Sequence, residues 1–197
     1  MILGGVLLAV ACWGLTFGLH AGNFWIKIGL SVILVSSYSL IFQRPAVSFR
    51  LRSLVLGVLS ATVLYLIFLL GNRLAPYVMS GSPAQVGGIY GLGTGTSSFF
   101  VFLLLFFITG PGEEIFWRGF LQSRMMARWG KLWGYVAATV VYGGVHIFSG
   151  NLVLTCAALI AGAFWGAFYV WRRDLLLLMV SHSLWSAIIF TVAPVRN

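Results

Sequence analysis

Seven apolar stretches, near 2–19, 24–42, 53–70, 97–123, 132–148, 152–171 and 175–192, constrain this chain more than any other feature. Each is close to the roughly 20 residues that an α-helix needs to cross a hydrocarbon core. A segment inside lipid must satisfy its own backbone hydrogen bonds, which a helix does. With 60% hydrophobic and 8% charged residues in 197, water-soluble folds are excluded. The expected fold is all-α: a polytopic membrane helix bundle of about seven transmembrane helices, forming a single integral membrane domain over 1–197. Within it, 1–96 holds the less characteristic helices and 97–192 those that carry candidate chemistry. A net charge of +9 does not imply nucleic acid, because the basic residues fall in short clusters between apolar segments. Arg44, Arg50 and Arg52 follow the second span, Arg124, Arg128 and Lys131 the fourth, and Arg172 and Arg173 the sixth. These loops share one side, cytoplasmic by the positive-inside rule, which puts the N-terminus in and the C-terminus out. The other side carries only Lys27, Arg73 and Arg196. Trp129, Trp133 and Trp171 flank the basic loops as interfacial anchors. No cation precedes Lys27, so the first span is read as a retained helix rather than a secretory signal. Cys12 and Cys156 lie in apolar segments and imply no disulfide framework.

The segment 71–96, with Pro76, Pro83 and a run of glycines, is expected to be a long loop on the non-cytoplasmic side, acting as a gate or as a tether. Gly14-x-x-x-Gly18 and Gly162-x-x-x-Gly166 have the spacing that lets helices approach closely.

Only three acidic residues occur, and two of them, Glu113 and Glu114, are adjacent inside a span. An ionisable group at that depth is costly and calls for a reason. At about 1.5 Å per residue, Glu113 lies roughly 16 Å from Arg124, His146 roughly 22 Å from Lys131 and His182 roughly 13 Å from Arg173. Three spans thus carry one group each into the membrane, which predicts a shared polar site. His20, at a helix end, is read as interfacial. Residues four apart share a helical face, whereas neighbours diverge by about 100°. Glu114 and Arg118 are therefore expected to form an ion pair, and Glu113, pointing elsewhere, is the carboxylate left for chemistry. Thr109-Gly110-Pro111-Gly112 is expected to break or kink the helix just before the acids. Tyr142 with His146, and His182 with Ser186, place a hydroxyl on the face of each histidine.

A carboxylate and a histidine around one water form a general-base pair, and a second histidine with a nearby hydroxyl can stabilise an oxyanion. No Gly-x-Ser-x-Gly or Cys-His arrangement supports covalent catalysis. One Glu and two His could hold zinc with an open position, but His-Glu-x-x-His is absent, so no metal or other cofactor is expected.

Glu113-Glu114-Ile-Phe-Trp-Arg118 resembles the Glu-Glu-x-x-x-Arg motif of the CAAX prenyl protease and bacteriocin-processing family of intramembrane proteases. Tyr142-Gly-Gly-Val-His146 is similar to its second motif, with tyrosine in place of phenylalanine. His182-Ser-Leu-Trp-Ser186 resembles the third, with serine in place of asparagine or aspartate. The resemblance covers the C-terminal half. It implies that Glu113 and His146 activate water, that Glu114 and Arg118 are motif partners, that His182 with the residue at Ser186 stabilises the oxyanion, and that no metal is obligatory. The function so expected is an intramembrane endopeptidase, a minimal protease core of a prokaryotic cytoplasmic (inner) membrane. It would cut near a membrane anchor or C-terminal tail of a bilayer-associated protein: sorting tails, prenylated tails or bacteriocin-type precursors. The alternatives are a proton-coupled transporter and a non-catalytic membrane scaffold with a degenerate site.

Overall fold

Each turn of this chain is marked by a residue suited to it. The structure, a computed structural model, describes residues 1–19 and 21–195, so the expectations for His20 and Arg196 lie outside the described residues. Among the described residues the secondary structure is helical, without strands. The helices are α1 (Ile2–Gly18), α2 (Phe24–Phe42), α3 (Leu51–Val78), α4 (Ser82–Gly91), α5 (Ser98–Trp129), α6 (Lys131–Ser149), α7 (Leu152–Arg172) and α8 (Leu175–Val192). Six of them, α2, α3 and α5 to α8, are long and apolar enough to cross a membrane, and α1 is an apolar helix of 17 residues. The expected bundle of about seven spans is what the chain forms. Asn23 caps α2 by accepting from Trp25 and Ile26 N–H, and Asn151 caps α7 by accepting from Leu154 N–H. Asp174, the third acid of the chain, caps α8 by accepting from Leu177 N–H at 3.2 Å. Gly130, at φ 83°, separates α5 from α6.

Burial orders the helices around one centre. The spanning window of α8 is 56% buried against 22% for α3, so α8 is the enclosed element and α3 packs against it from outside. On α3, Val58, Leu59, Val63 and Leu66 face outward, as lipid permits and water would not. Trp129, Trp133 and Trp171 are exposed at the arginine-bearing end. That end is drawn together by Arg124, which donates to Phe42 O at 2.9 Å, and holds a cavity between the α2–α3 and α7–α8 connections.

Three local expectations are corrected. Residues 71–96 are not one long loop: α3 continues to Val78, and α4 occupies Ser82–Gly91. Pro76 falls in the last turn of α3, so the one ladder bond its missing N–H forfeits lies at the helix end, and Pro83 sits in the first turn of α4, where no N–H is needed. Glycines 87, 88 and 91 lie in α4 despite their poor helix propensity. Gln85 O accepts from Asn151 Nδ2 at 2.8 Å and Gln85 Oε1 from Val153 N–H at 3.1 Å, tying α4 to the start of α7. The Thr109–Gly112 stretch does not break the helix. α5 runs 32 residues through it, with a π-helical stretch at Leu105–Thr109 preceding Pro111 and another at Ile115–Gln122 following Glu114. Widening the turn before a proline relieves the clash of its ring with the carbonyl four residues back. Finally, Gly14 and Gly18 do not mark a tight crossing: a Cβ at Gly14 would lie 3.9 Å from Phe148, and one at Gly18 would meet nothing.

Candidate active site

Glu113 and Glu114 lie midway along α5, in the single α-helical turn Gly110–Glu114 between its two π-helical stretches. The flanking glycines are there for close approach. A Cβ on Gly110 would lie 2.8 Å from the Ser183 backbone of α8, and one on Gly112 would lie 2.6 Å from Val32 of α2. The carboxylates are thereby pressed between α2 and α8 with no room for a larger residue beside them.

Glu114 is 0% exposed. Its Oε1 accepts from Arg118 Nη1 at 2.8 Å, the i,i+4 pair expected from spacing. The same oxygen also accepts from His182 Nδ1 at 2.8 Å. His182 is thus bonded to Glu114 while it also lines the space in front of Glu113. Arg118 is held on every side: Nη2 donates to Gly162 O at 3.3 Å, and its guanidinium carbon stands 4.7 Å from the Tyr142 ring and 5.4 Å from that of Trp165. One turn further, Gln122 Nε2 donates to Gly166 O at 2.9 Å. Arg118 and Gln122 therefore pin α5 to two successive turns of α7, and only glycine leaves those turns accessible. A Cβ on Gly162 would lie 2.7 Å from Tyr142, and one on Gly166 2.9 Å from Tyr135. His182 is fixed from its other face by Trp165, stacked at 3.9 Å with an interplanar angle of 17°. Trp165 in turn donates from Nε1 to Ser181 Oγ at 3.0 Å.

His146 lies in a 3₁₀ turn, Val145–Ser149, that ends α6. Its Nδ1 is 2.8 Å from Tyr142 O, and Trp13 Nε1 of α1 is 3.3 Å from its Nε2. A carbonyl only accepts and an indole N–H only donates, so the ring is neutral, protonated at Nδ1, with its Nε2 lone pair facing Trp13. The expected role of the Tyr142 hydroxyl beside His146 is thus taken by the Tyr142 carbonyl, and the hydroxyl reaches instead toward Glu113. Ser186 Oγ donates to His182 O at 2.8 Å, along its own helix, rather than across the site.

Glu113, Tyr142, His146, His182 and Ser186 all line one cavity of about 120 Å³, space for several waters at about 10–15 Å³ each. Glu113 Oε2 has no hydrogen-bond partner there. Of the three acids, Asp174 caps a helix and Glu114 is bonded to Arg118 and His182, so Glu113 is the one whose Oε2 enters the cavity without a partner. Glu113 and His146 face the same space without a direct hydrogen bond between them among the described residues. Its other walls include Phe17, Phe24, Ile89 and Leu92, which places the site toward the end opposite the arginines and beneath α4. No three His, Cys, Asp or Glu side chains converge as metal ligands among the described residues. Trp13, Trp165 and Gln122 were not legible as site residues. Gln122 carried a signal, a polar amide four residues after Arg118 in a membrane span, whereas the two tryptophans carried none.

Residues 95–188 match the family model described as Rce1-like, type II CAAX prenyl endopeptidase Rce1-like. That match spans all three motifs, and it excludes α1, which supplies Trp13. No curated protein and no solved structure matches the chain.

Proposed function

We propose that this chain, a member of the CAAX prenyl protease and bacteriocin-processing family and thus a membrane protease, hydrolyses a peptide bond close to the membrane anchor or C-terminal tail of a bilayer-associated protein, with Glu113 as the base that activates water. The observation that carries this reading is the unpartnered Glu113 Oε2 in a cavity shared with two oriented histidines. A water bound there gives a proton to Glu113 as its oxygen attacks the scissile carbonyl. The Nε2 lone pair of His146 accepts the second water hydrogen, sharing or displacing the long Trp13 contact. His182, its Nδ1 held by Glu114, turns Nε2 to the cavity, and as an imidazolium it donates to the developing oxyanion. The Glu113 proton then passes to the leaving amine, which restores the carboxylate. Glu114 and Arg118 are positioning residues in this scheme. Ser186, its hydroxyl committed to His182 O, contributes little as an oxyanion donor. This scheme calls on no resident metal.

The substrate class rests on depth: the acids lie midway along a membrane span, so the scissile bond must reach the bilayer interior or its margin. Sorting tails of exported proteins, prenylated tails and bacteriocin-type precursors all satisfy this, in a prokaryotic cytoplasmic membrane. The test compares the termini of membrane proteins in cells carrying the native chain and Glu113→Gln. Termini that change only with the native chain identify the substrate. Identical termini at equal protein level would refute the endopeptidase reading.

A further inference from the structure

At the end of the bundle opposite the catalytic cavity, a second and larger cavity of about 430 Å³ opens between the α2–α3 and α7–α8 connections. Its walls include Arg50, Arg52, Arg172 and Arg173, with Trp171 and Ser53. Four arginines line one space, and among the described residues none of them has a carboxylate partner. The single acid in the wall, Asp174, is already occupied: Oδ2 accepts from Ser53 Oγ at 2.5 Å and Oδ1 from Leu177 N–H. The lining therefore carries a net formal charge of about +3, four arginines against one carboxylate.

The backbone is arranged to hold these cations together. Arg173 takes a left-handed conformation at φ 50°, the one non-glycine residue among those described with a positive φ. That geometry reverses the chain within two residues of α7 and keeps Arg172 and Arg173 over the start of α8. The guanidinium carbon of Arg172 stands 4.6 Å from the Trp171 ring. No side chain caps the N-terminus of α3 and no acid lies in its first turn, so its free N–H groups add positive potential beside Arg50 and Arg52. Self-repulsion on this scale, at the edge of an apolar bundle, is relieved by an anion. Arginine forks together with free backbone N–H groups suit a phosphate.

We propose that this cavity binds the phosphate of an anionic phospholipid headgroup. Exposed Trp171 at its rim sits as an interfacial anchor, so the phosphate that meets the cavity is one carried by lipid at the same level. The site is independent of the peptidase reading, since none of its residues lines the catalytic cavity.

The test uses the full chain purified in a neutral detergent, with phosphatidylglycerol, phosphatidylcholine or inorganic phosphate added, and reads retained lipid by native mass spectrometry together with thermal stability. Phosphatidylglycerol is expected to be retained at least tenfold over phosphatidylcholine, with inorganic phosphate at equal concentration giving no stabilisation. Arg50→Ala/Arg172→Ala is expected to abolish that preference. Arg128→Ala/Lys131→Ala, which removes the same charge at the same end but outside the cavity, is expected to keep it. Equal loss in both pairs would show generic surface charge and overturn the site. Stabilisation by inorganic phosphate alone, to the extent given by lipid, would overturn the lipid assignment. Should the cavity double variant fold poorly, Arg50→Lys/Arg172→Lys keeps the charge and loses the forks, and an undiminished preference in that variant would equally overturn the site.

Discussion

Replacing Glu114 by glutamine separates what the buried ion pair does for the fold from what it does for His182. In the native chain Glu114 is fully buried and Arg118 is 2% exposed, so Glu114→Gln leaves an uncompensated cation in the bundle. Breaking a buried pair from one side costs about 3–5 kcal/mol. Arg118 would keep the Gly162 carbonyl and the Tyr142 and Trp165 rings, which argues for the lower end, about 3 kcal/mol, or roughly 10 °C in melting temperature for a chain of this length. The double variant Glu114→Gln/Arg118→Met removes both charges and fills the space with an apolar chain, a change that is near neutral for a buried pair. Its stability should return to within about 1 kcal/mol of native. Activity should not return with it. Without a carboxylate at Nδ1, His182 has no counter-charge for an imidazolium, and losing one oxyanion donor costs about 10²–10³ in kcat.

The assay follows melting in detergent alongside cleavage of the membrane protein identified through the Glu113→Gln comparison, for the native chain and both variants. Recovery of kcat together with stability in the double variant would show that Glu114 acts on activity only through the fold. A double variant no more stable than the single would show that Arg118 was never dependent on Glu114.

Three further outcomes are expected. Trp13→Phe keeps the ring packing on Trp117 but loses the N–H that meets His146 Nε2, and should cost about 1 kcal/mol with kcat lowered less than tenfold; a loss matching Glu113→Gln would make Trp13 part of the chemistry. Ser186→Ala, because the hydroxyl is spent on His182 O, should leave kcat within about threefold by cleavage assay, the removed bond being worth about 1 kcal/mol. Gly110→Ala places a methyl 2.3 Å from Ser183 Oγ and should destabilise by about 1–3 kcal/mol in thermal melts. The double change Gly110→Ala/Ser183→Gly should recover part of that.

What could be read from the sequence was whatever repeats along a helix. The spans followed from apolar length, and Glu114–Arg118 followed from a four-residue spacing. The common cavity of Glu113, His146 and His182 followed from depth counted off the basic loops. What could not be read depends on pairing between helices. Trp13 is 133 residues from His146 and Glu114 is 68 from His182, and a tryptophan in an apolar span looks like any other core residue. The π-helical stretches were also hidden, since Pro111 signals trouble for the ladder without saying whether the helix breaks or widens. Gly110 and Gly112, expected with Pro111 to break or kink the helix, are sites of contact with α8 and α2. The helix α4 was missed because its glycines and prolines describe a loop until Asn151 and Val153 are seen to hold Gln85.

Two adjacent carboxylates with different duties need no difference in chemistry between them. Consecutive helical residues point about 100° apart, so in a bundle enclosed on all sides each meets different neighbours. Glu114 is turned toward α7 and α8, where Arg118 and His182 saturate one oxygen. Glu113 is turned toward the gap walled by Phe17, Phe24 and Ile89, where its Oε2 has no hydrogen-bond partner among the described residues. The contact that binds the two duties is His182, which takes its orientation from Glu114 and offers its other nitrogen to the space Glu113 occupies. Moving the Glu-Glu pair one position toward the C-terminal end of α5 would leave the cavity without its carboxylate at position 113, and moving it one position the other way would leave Arg118 and His182 without theirs at position 114. The register of this turn, set by Gly110 on Ser183 and Gly112 on Val32, is thus as much a requirement of the site as the acids themselves.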